Sequence, residues 1–295
     1  NIGNAFSYVN EKISALSTLP FGNVIARYAI LPTIGKLHRN IDVLDDIVQK
    51  IITERRQVPP EQHPNDLLTM LMEAVDEETG ESMDDQQLRD EVMTILLAGH
   101  ETTSNALTWT FYLLHQNQDA RRKLDAELAT VLNGRTPTYA DLPQLVYTQM
   151  VIEESMRLYP PAYALSRFGH EADTIGGYDT PPNAIITLSP YLTHRHPDFW
   201  DDPERFDPER FTPERSAGRP RYAYIPFGGG PRLCIGNNFA MTEAILLLAA
   251  IAQQYHLTLE PGHQVEIEPL ITLGTGNGMP MRLAAVGQHQ PQPTP

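Results

Sequence analysis

A glycine-rich turn directly before an apolar helix constrains this chain more than any other stretch. Residues 227–236 read Phe-Gly-Gly-Gly-Pro-Arg-Leu-Cys-Ile-Gly and contain the only cysteine among 295 residues. Residues 239–252 are mostly apolar and carry no helix breaker, so Cys234 is predicted to lie at a helix N-terminus. The helix dipole and the free backbone N–H groups there favour the thiolate over the thiol. Arg232, two residues earlier, is placed to pair with an anion on the same partner.

A lone thiolate ringed by N–H donors, with a guanidinium beside it, suits a haem iron and its propionates. The alternative is a simple glycine turn in which the buried cysteine acts as a small hydrophobe. The spacing Phe-x-x-Gly-x-Arg-x-Cys-x-Gly, however, is satisfied at every fixed position. This spacing is the signature loop of the cytochrome P-450 family, the haem-thiolate monooxygenases, and the chain resembles that family.

The resemblance implies that the cofactor is haem b (iron protoporphyrin IX) and that Cys234 ligates its iron. It also implies that Phe227, Gly228, Gly236 and Arg232 hold the cofactor.

Composition excludes several other classes of protein. With 41% hydrophobic and 20% charged residues, the chain is typical of a globular protein, and its net charge of −15 argues against nucleic acid as a partner. No apolar run reaches membrane-spanning length, so no membrane anchor is expected in this chain. A single cysteine excludes an internal disulfide framework and fits a reducing compartment, so we expect a cytoplasmic protein. Because the first residue is Asn1, we expect a truncated piece, and a targeting segment in the missing part stays open.

The longest predicted helix runs from about Asp84 to His115, with a capping-box-like start at Ser82 and Asp85. Its centre, residues 98–103, reads Ala-Gly-His-Glu-Thr-Thr, in which glycine weakens the helix and hydroxyls can bond back to the preceding turn.

An acid and an alcohol at the helix centre have two interpretations. One is a polar face returning to solvent. The other follows from the resemblance, since Ala-Gly-x-Glu-Thr-Thr is the family's oxygen-binding signature in the helix that crosses over the haem. By resemblance, Thr102 helps to hold dioxygen and Glu101 relays protons to it, and Ala98 contacts the cofactor.

A second pattern resembles the family's structural brace for the cysteine loop. Glu154 and Arg157 are three residues apart on one predicted helix face, which by itself describes an ordinary surface ion pair. In the family, Glu-x-x-Arg is buried and binds a later arginine. The stretch Phe-Asp-Pro-Glu-Arg-Phe at 206–211 supplies Arg210 for that position, and Arg205 is the less favoured alternative. The resemblance therefore implies a structural triad of Glu154, Arg157 and Arg210.

Other helices and strands are predicted from periodicity and turn residues. We expect a break at residues 20–22 and a helix over 35–56. Further helices are expected from a cap at Asn65 to near Gly80, over 119–132, and after Pro143. Strands are expected at 174–178 and 184–188 as a hairpin, and at 257–259, 265–267 and 281–283.

The resemblance also points to the surroundings of the substrate. An arginine at the position of Arg167 often reaches a haem propionate in the family, although a solvent-facing arginine at a strand edge fits the sequence almost equally well. Apolar residues before it and in the long helix suggest the lining of a substrate pocket, namely Leu97, Ala98, Ala162 and Leu165.

The fold expected is therefore mainly α with small β-sheets (α+β), in which the long helix lies over the haem and the cysteine loop beneath it. Residues 1–286 are expected to form a cytochrome P-450 domain that lacks its N-terminal third, and residues 287–295 a disordered Gln/Pro-rich tail.

The function implied is monooxygenation: one oxygen atom of dioxygen enters a C–H bond of an apolar small molecule, such as a fatty acid or terpenoid. Electrons would come from an external donor, a ferredoxin or a flavin reductase, because no nucleotide-binding glycine fingerprint is present. Alternatives are a peroxide-driven peroxygenase or isomerase and a non-catalytic haem sensor. A cysteine hydrolase ranks far lower, since no local pattern offers a histidine base.

Overall fold

The computed structural model describes residues 2–17 and 32–287, which form a mainly helical fold with small two-stranded sheets, as the sequence predicts. The break expected at residues 20–22 and the tail from 288 onward lie outside the described residues. In chain order the α-helices are α1 (Ile2–Ser17), α2 (Pro32–Arg56), α3 (Leu67–Glu73), α4 (Asp85–Gln116), α5 (Gln118–Val131), α6 (Val146–Leu158), α7 (Pro190–Thr193), α8 (Pro213–Ser216) and α9 (Asn237–Ala252).

The strands pair two by two, all antiparallel: β1 (Leu165–Phe168) with β4 (Ile185–Leu188), β2 (Asp173–Ile175) with β3 (Tyr178–Thr180), β5 (Tyr255–Leu259) with β8 (Met281–Ala285), and β6 (Ile267–Pro269) with β7 (Leu273–Thr275). The hairpin predicted between 174–178 and 184–188 is therefore wrong. Its turn lies at Gly176-Gly177, where both residues take positive φ angles, so β2 folds back onto β3 and leaves β4 to pair with β1.

Most helix boundaries follow the local signals, but the helix expected to reach near Gly80 ends at Glu73. Ala74 is extended, and Asp76 accepts the N–H groups of Glu78 and Thr79 in a turn. The α3 cap is Asp66 rather than Asn65, because the Asp66 side chain accepts the Thr69 N–H at 3.0 Å. At the start of α4 the cap is Asp84, which accepts the Gln87 N–H at 2.7 Å. Pro143 lies inside a short 3₁₀ helix, Tyr139–Gln144, and not in the first turn of α6.

The chain divides into two compact units, residues 1–100 and 101–295, and the continuous helix α4 contributes to both. In the first unit, Ala5 and Val9 of α1 pack against Leu37 and Leu44 of α2. A second cluster joins the end of α2 to the first turns of α4 through Val48, Ile52 and Leu88.

In the second unit, the core forms where α4, α5, α6 and α9 meet. Helix α9 is apolar around most of its circumference, so it can be stable in water only when other elements cover it. Leu248 and Ala249 at its centre are fully buried. The glycine-rich turn precedes this helix directly, so the core of the second unit holds the C-terminal side of the turn in place.

None of the helices in the described ranges is long and apolar enough to cross a lipid bilayer.

Candidate functional site

The cysteine loop, residues 227–236, folds back on itself before α9. The backbone N–H of Cys234 donates to the Phe227 carbonyl at 3.0 Å, and the N–H of Leu233 donates to Gly230 at 3.0 Å. Gly236 is the N-cap of α9 and offers no side-chain acceptor to the N–H groups of the first turn. These bonds hold Cys234 beside the N-terminus of α9, which is the electropositive end of the helix.

Two glycines in the loop are required by its shape. Gly228 takes a φ of 76°, a conformation that side chains rarely adopt, and a Cβ there would lie 3.5 Å from Cδ1 of Leu165 on β1. A Cβ on Gly229 would come within 3.0 Å of the Tyr222 ring. The loop is therefore closely packed on one side, against β1 and Tyr222.

The opposite side of the loop is open. The Cys234 thiol is exposed, and so are the apolar side chains around it: Leu233 is 50% exposed, Phe239 70% and Ile235 98%. Exposed aliphatic and aromatic side chains around a soft sulfur ligand suit a flat, largely apolar macrocycle that carries an iron.

The donor set agrees with that cofactor. Among the described residues, no cluster of three or more His, Cys, Asp or Glu side chains is placed to hold a metal ion, so a bare metal site built by the protein alone is not found there. A single thiolate is enough when a porphyrin supplies the other ligands to iron. The residues present thus fit haem b, for which the Cys234 sulfur is the candidate ligand.

The two arginines expected to meet the haem propionates lie in exposed positions. The Arg167 guanidinium donates to the Ser166 carbonyl at 2.9 Å, on β1, the strand that packs against Gly228. Arg232 lies in the loop itself. Within residues 2–17 and 32–287, neither side chain forms an ion pair, so both guanidinium groups are available to bind a carboxylate.

Glu101 and Thr102 are half-buried in the middle of α4. Beyond them, hydroxyls bond back to the preceding turn as the sequence suggested: Ser104 donates to the Glu101 carbonyl at 2.9 Å and Thr108 to the Ser104 carbonyl at 2.8 Å. The Glu101 carboxylate accepts a hydrogen bond of 2.7 Å from the hydroxyl of Thr272, a residue that no local pattern singled out.

The other predicted pocket residues separate into two groups. Ala98 is exposed on α4. Ala162 and Leu165 are half-buried before and on β1, and Leu165 lies near Gly228 of the cysteine loop. Leu97 instead packs against the apolar cluster of α1 and α2, which places this side chain in the core of the first unit.

Glu154, Arg157 and Arg210 lie together in the second unit, fully or almost fully buried. Arg157 holds the Glu154 carboxylate in a two-bond fork of 2.7 and 2.8 Å, and the Arg210 Nε lies 3.3 Å from the same carboxylate. The Asp207 N–H also donates to Glu154, at 2.9 Å. Such a network is stable because each buried charge is matched by opposite charge or hydrogen bonds.

Arg157 also organises the chain that leads to the cysteine loop. Its guanidinium donates to the carbonyls of His194, Pro203 and Arg205 at 2.9, 2.7 and 3.1 Å. The His194 ring in turn accepts the Ile225 N–H at 2.8 Å, two residues before Phe227. Burial lowers the pKa of His194 from 6.5 to about 3, so its neutral ring is the acceptor. Sequence reasoning missed His194, because the contact depends on residues 31 positions apart.

A cavity of about 600 Å³ lies on the side of the loop that faces α6 and α9. Its wall includes Phe227, Gly228 and Leu233 of the loop, and Met156, Met241 and Ile245 of the two helices. Neither Glu101 nor Thr102 lines it, so this cavity is separate from the proposed proton relay.

This chain is similar in sequence and in structure to known proteins. The Cytochrome P-450 family profile matches residues 4–278, and so extends across both units. Cyclooctatin synthase of Streptomyces melanosporofaciens is 44% identical over 218 residues, covering 74% of this chain and 47% of that protein. Cyclooctat-9-en-7-ol 5-monooxygenase of the same organism is 40% identical over 234 residues, covering 79% of this chain and 50% of that protein.

Among solved structures, the haem domain of cytochrome P450DA matches with a TM-score of 0.85 and 29% identity, over 96% of this chain and 60% of that one. This match confirms the predicted fold, whose family cofactor is haem b. The chain spans about half the length of the curated relatives it matches. With its family profile, relatives and fold in agreement, the chain belongs to the cytochrome P-450 family.

Proposed function

We propose that the full-length protein is a haem-thiolate monooxygenase that inserts one oxygen atom of dioxygen into a C–H bond of an apolar small molecule. The observation that carries this proposal is the exposed Cys234 thiol before α9, surrounded by exposed apolar side chains, on a residue whose backbone N–H donates to the Phe227 carbonyl. When bound, the haem supplies the activation of dioxygen that no side chain can provide.

The protein's own residues bind and orient this group. Cys234 would ligate the iron, and Phe227, Gly228 and Gly236 would shape the loop that presents its sulfur. Ala98 would contact the bound haem, and the exposed guanidinium groups of Arg232 and Arg167 would pair with its propionates.

Thr102 would help to hold dioxygen, and Glu101 would relay to it from water the protons that its cleavage consumes. A carboxylate and a hydroxyl at adjacent positions can pass a proton inward from water by short hydrogen bonds. The triad of Glu154, Arg157 and Arg210 keeps the cysteine loop in position, because Arg157 and His194 connect it to the segment that enters the loop.

An apolar substrate, such as a terpenoid or a fatty acid, is supported by Ala98, Ala162 and Leu165. The compound in the name of one relative, cyclooctat-9-en-7-ol, is an unsaturated alcohol. Electrons come from an external ferredoxin or flavin reductase. A cytoplasmic location fits the single cysteine, which suits a reducing compartment.

The reduced, carbon monoxide-bound absorption spectrum of the full-length protein tests the central proposal, because it reports whether a thiolate ligates the iron. We expect the thiolate-type Soret shift in the unaltered protein and its loss in Cys234→Ser. Thr130→Ser, an equally small change on the exposed face of α5, is the control and should keep the shift. A spectrum without the shift, or one unchanged in Cys234→Ser, would contradict the proposal.

A further inference from the structure

The loop between β6 and β7 approaches the centre of α4 and is held there by three bonds. The Leu273 N–H donates to the Pro161 carbonyl at 2.9 Å, and the Trp109 indole N–H donates to the Leu273 carbonyl at 2.9 Å. The Tyr163 hydroxyl donates to the Leu270 carbonyl at 2.8 Å. Backbone groups on both sides of Thr272 are thereby held, so the position of its side chain is set by the surrounding fold.

The Thr272 side chain is buried and lies between two polar groups of α4. Its hydroxyl donates to Glu101 Oε1 at 2.7 Å and accepts from the Asn105 amide at 3.0 Å. A hydroxyl has one proton to donate, and an ionised carboxylate can only accept. The hydrogen bonds therefore run from Asn105 to Thr272 and from Thr272 to Glu101.

We propose that Thr272 is a positioning residue: it holds the Glu101 carboxylate in the orientation required for proton transfer, and Asn105 orients Thr272. This inference rests on the proposed proton relay through Glu101. A glutamate side chain has several rotatable bonds, and a proton relay works only within short hydrogen-bond distances. A tether to a buried hydroxyl removes this freedom, because Thr272 itself belongs to a loop with anchored neighbours.

A stability measurement on the full-length protein tests the tether without haem chemistry. Thr272→Val keeps the shape of the side chain and removes its hydroxyl, and Glu101→Ala removes the acceptor. In a double-mutant cycle, we expect Thr272→Val to raise the unfolding equilibrium constant about tenfold more when Glu101 is present than when it is replaced by alanine. Thr110→Val is the matched control, since this buried hydroxyl of α4 bonds only locally, to the Ala106 carbonyl at 2.7 Å. It should show no coupling to Glu101→Ala.

A second measurement tests the role in proton delivery. We expect Thr272→Val to lower the product formed per electron consumed by about tenfold, a part of the contribution that general acid–base groups make. Thr272→Ser, which keeps the hydroxyl, should retain the value, and so should Thr110→Val. In the Glu101→Ala background, Thr272→Val should cause no further loss.

The inference would be overturned if Thr272→Val and Glu101→Ala changed the unfolding equilibrium constant independently. It would also be overturned if Thr272→Val and Thr272→Ser lowered the product formed per electron equally. If Thr272→Val does not fold, Asn105→Ala replaces it in both measurements, with a smaller loss in the same direction expected. A protein that binds haem through Cys234 but forms no oxygenated product overturns the proposed function instead. In that case, the double-mutant cycle by itself still shows whether Thr272 holds Glu101.

Discussion

At the scale of single residues, buried charges and buried hydrogen-bond acceptors connect α6 to residues 194–210, which lie before the cysteine loop in the chain. Glu154 is fully buried, yet it receives bonds from Arg157 and Asp207 and lies beside Arg210. Arg157 satisfies three backbone carbonyls besides this carboxylate. Removal of one member leaves buried charge that is only partly compensated, which costs far more than an exposed ion pair contributes.

We predict that Arg157→Ala lowers the unfolding free energy of the full-length protein by about 3–5 kcal/mol and abolishes haem incorporation. The physical reason is the uncompensated Glu154 carboxylate together with three unsatisfied carbonyls. Urea unfolding and haem content per protein measure the two effects. Arg282→Ala, which removes an exposed pair with Glu260, is the control and should leave both nearly unchanged. A soluble Arg157→Ala protein with normal haem content would refute the assignment.

His194 predicts a dependence of stability on pH. Burial lowers its folded pKa to about 3, whereas an unfolded histidine titrates near 6.5, so the unfolded chain binds the extra proton between these values. Stability contributed by the neutral ring is therefore complete above about pH 6.5 and falls as the pH decreases towards 3, by up to about 1.4 kcal/mol per pH unit.

Urea unfolding from pH 7 to pH 4 measures this slope. His194→Gln should reduce it, while the exposed His196→Gln should leave it as in the unaltered protein. Equal slopes in His194→Gln and the unaltered protein would show that another group causes the acid sensitivity.

At the scale of the element, helix α4 combines a structural and a functional requirement. It is 32 residues long, yet Gly99 interrupts good helix formers near its centre, and no atom lies within 4 Å of a Cβ placed there. A glycine in a helix interior costs about 1 kcal/mol relative to alanine. A glycine two residues before Glu101, where no side chain fills the space, allows the haem to approach the helix backbone closely.

We predict that Gly99→Ala raises the unfolding free energy of the haem-free full-length protein by about 1 kcal/mol and weakens haem binding. Gly35→Ala in α2 is the matched control, since its Cβ would make only an ordinary 3.7 Å contact with Arg39. Gly35→Ala should raise the unfolding free energy by a similar amount and leave haem binding unchanged. Thermal unfolding and haem titration measure both quantities, and equal haem affinities in the two variants would contradict the functional interpretation of Gly99.

At the scale of the whole molecule, the chain has two compact units, and its cysteine loop presents exposed apolar side chains. A ligand that binds only the folded state stabilises it by mass action, and it also removes apolar surface from water.

Removal of haem from the full-length protein should therefore lower its melting temperature and increase the binding of a dye that detects apolar surface. Ile235→Ser combined with Phe239→Ser should reduce dye binding to the haem-free protein, because these side chains are 98% and 70% exposed. Ile267→Ser, at an exposed apolar position on β6, is the control and should have less effect. Equal dye binding with and without haem would contradict the assignment of this surface.

Local patterns predicted the helices well because helical periodicity and caps act over a few residues. The start of α4 was predicted within one residue, and α9 was predicted from its apolar run. Strand pairing was predicted less well, since β4 could pair with either of two earlier strands, and the choice followed from the turn at Gly176-Gly177. The Glu-x-x-Arg pattern placed Glu154 and Arg157 on one face, but spacing alone cannot distinguish a buried pair from an exposed one.

The sequence by itself determined the chemistry of the loop: one thiol, a glycine-rich turn and an apolar helix after it, all encoded within about 25 residues. Only the tertiary structure decided that Glu154 is buried, that His194 holds the segment entering the loop, and that Thr272 meets Glu101 across 171 positions of the chain. Local propensity and spacing specify elements and the residues at their ends. Contacts between distant residues depend on how those elements pack, and packing is decided by the burial of all of them together.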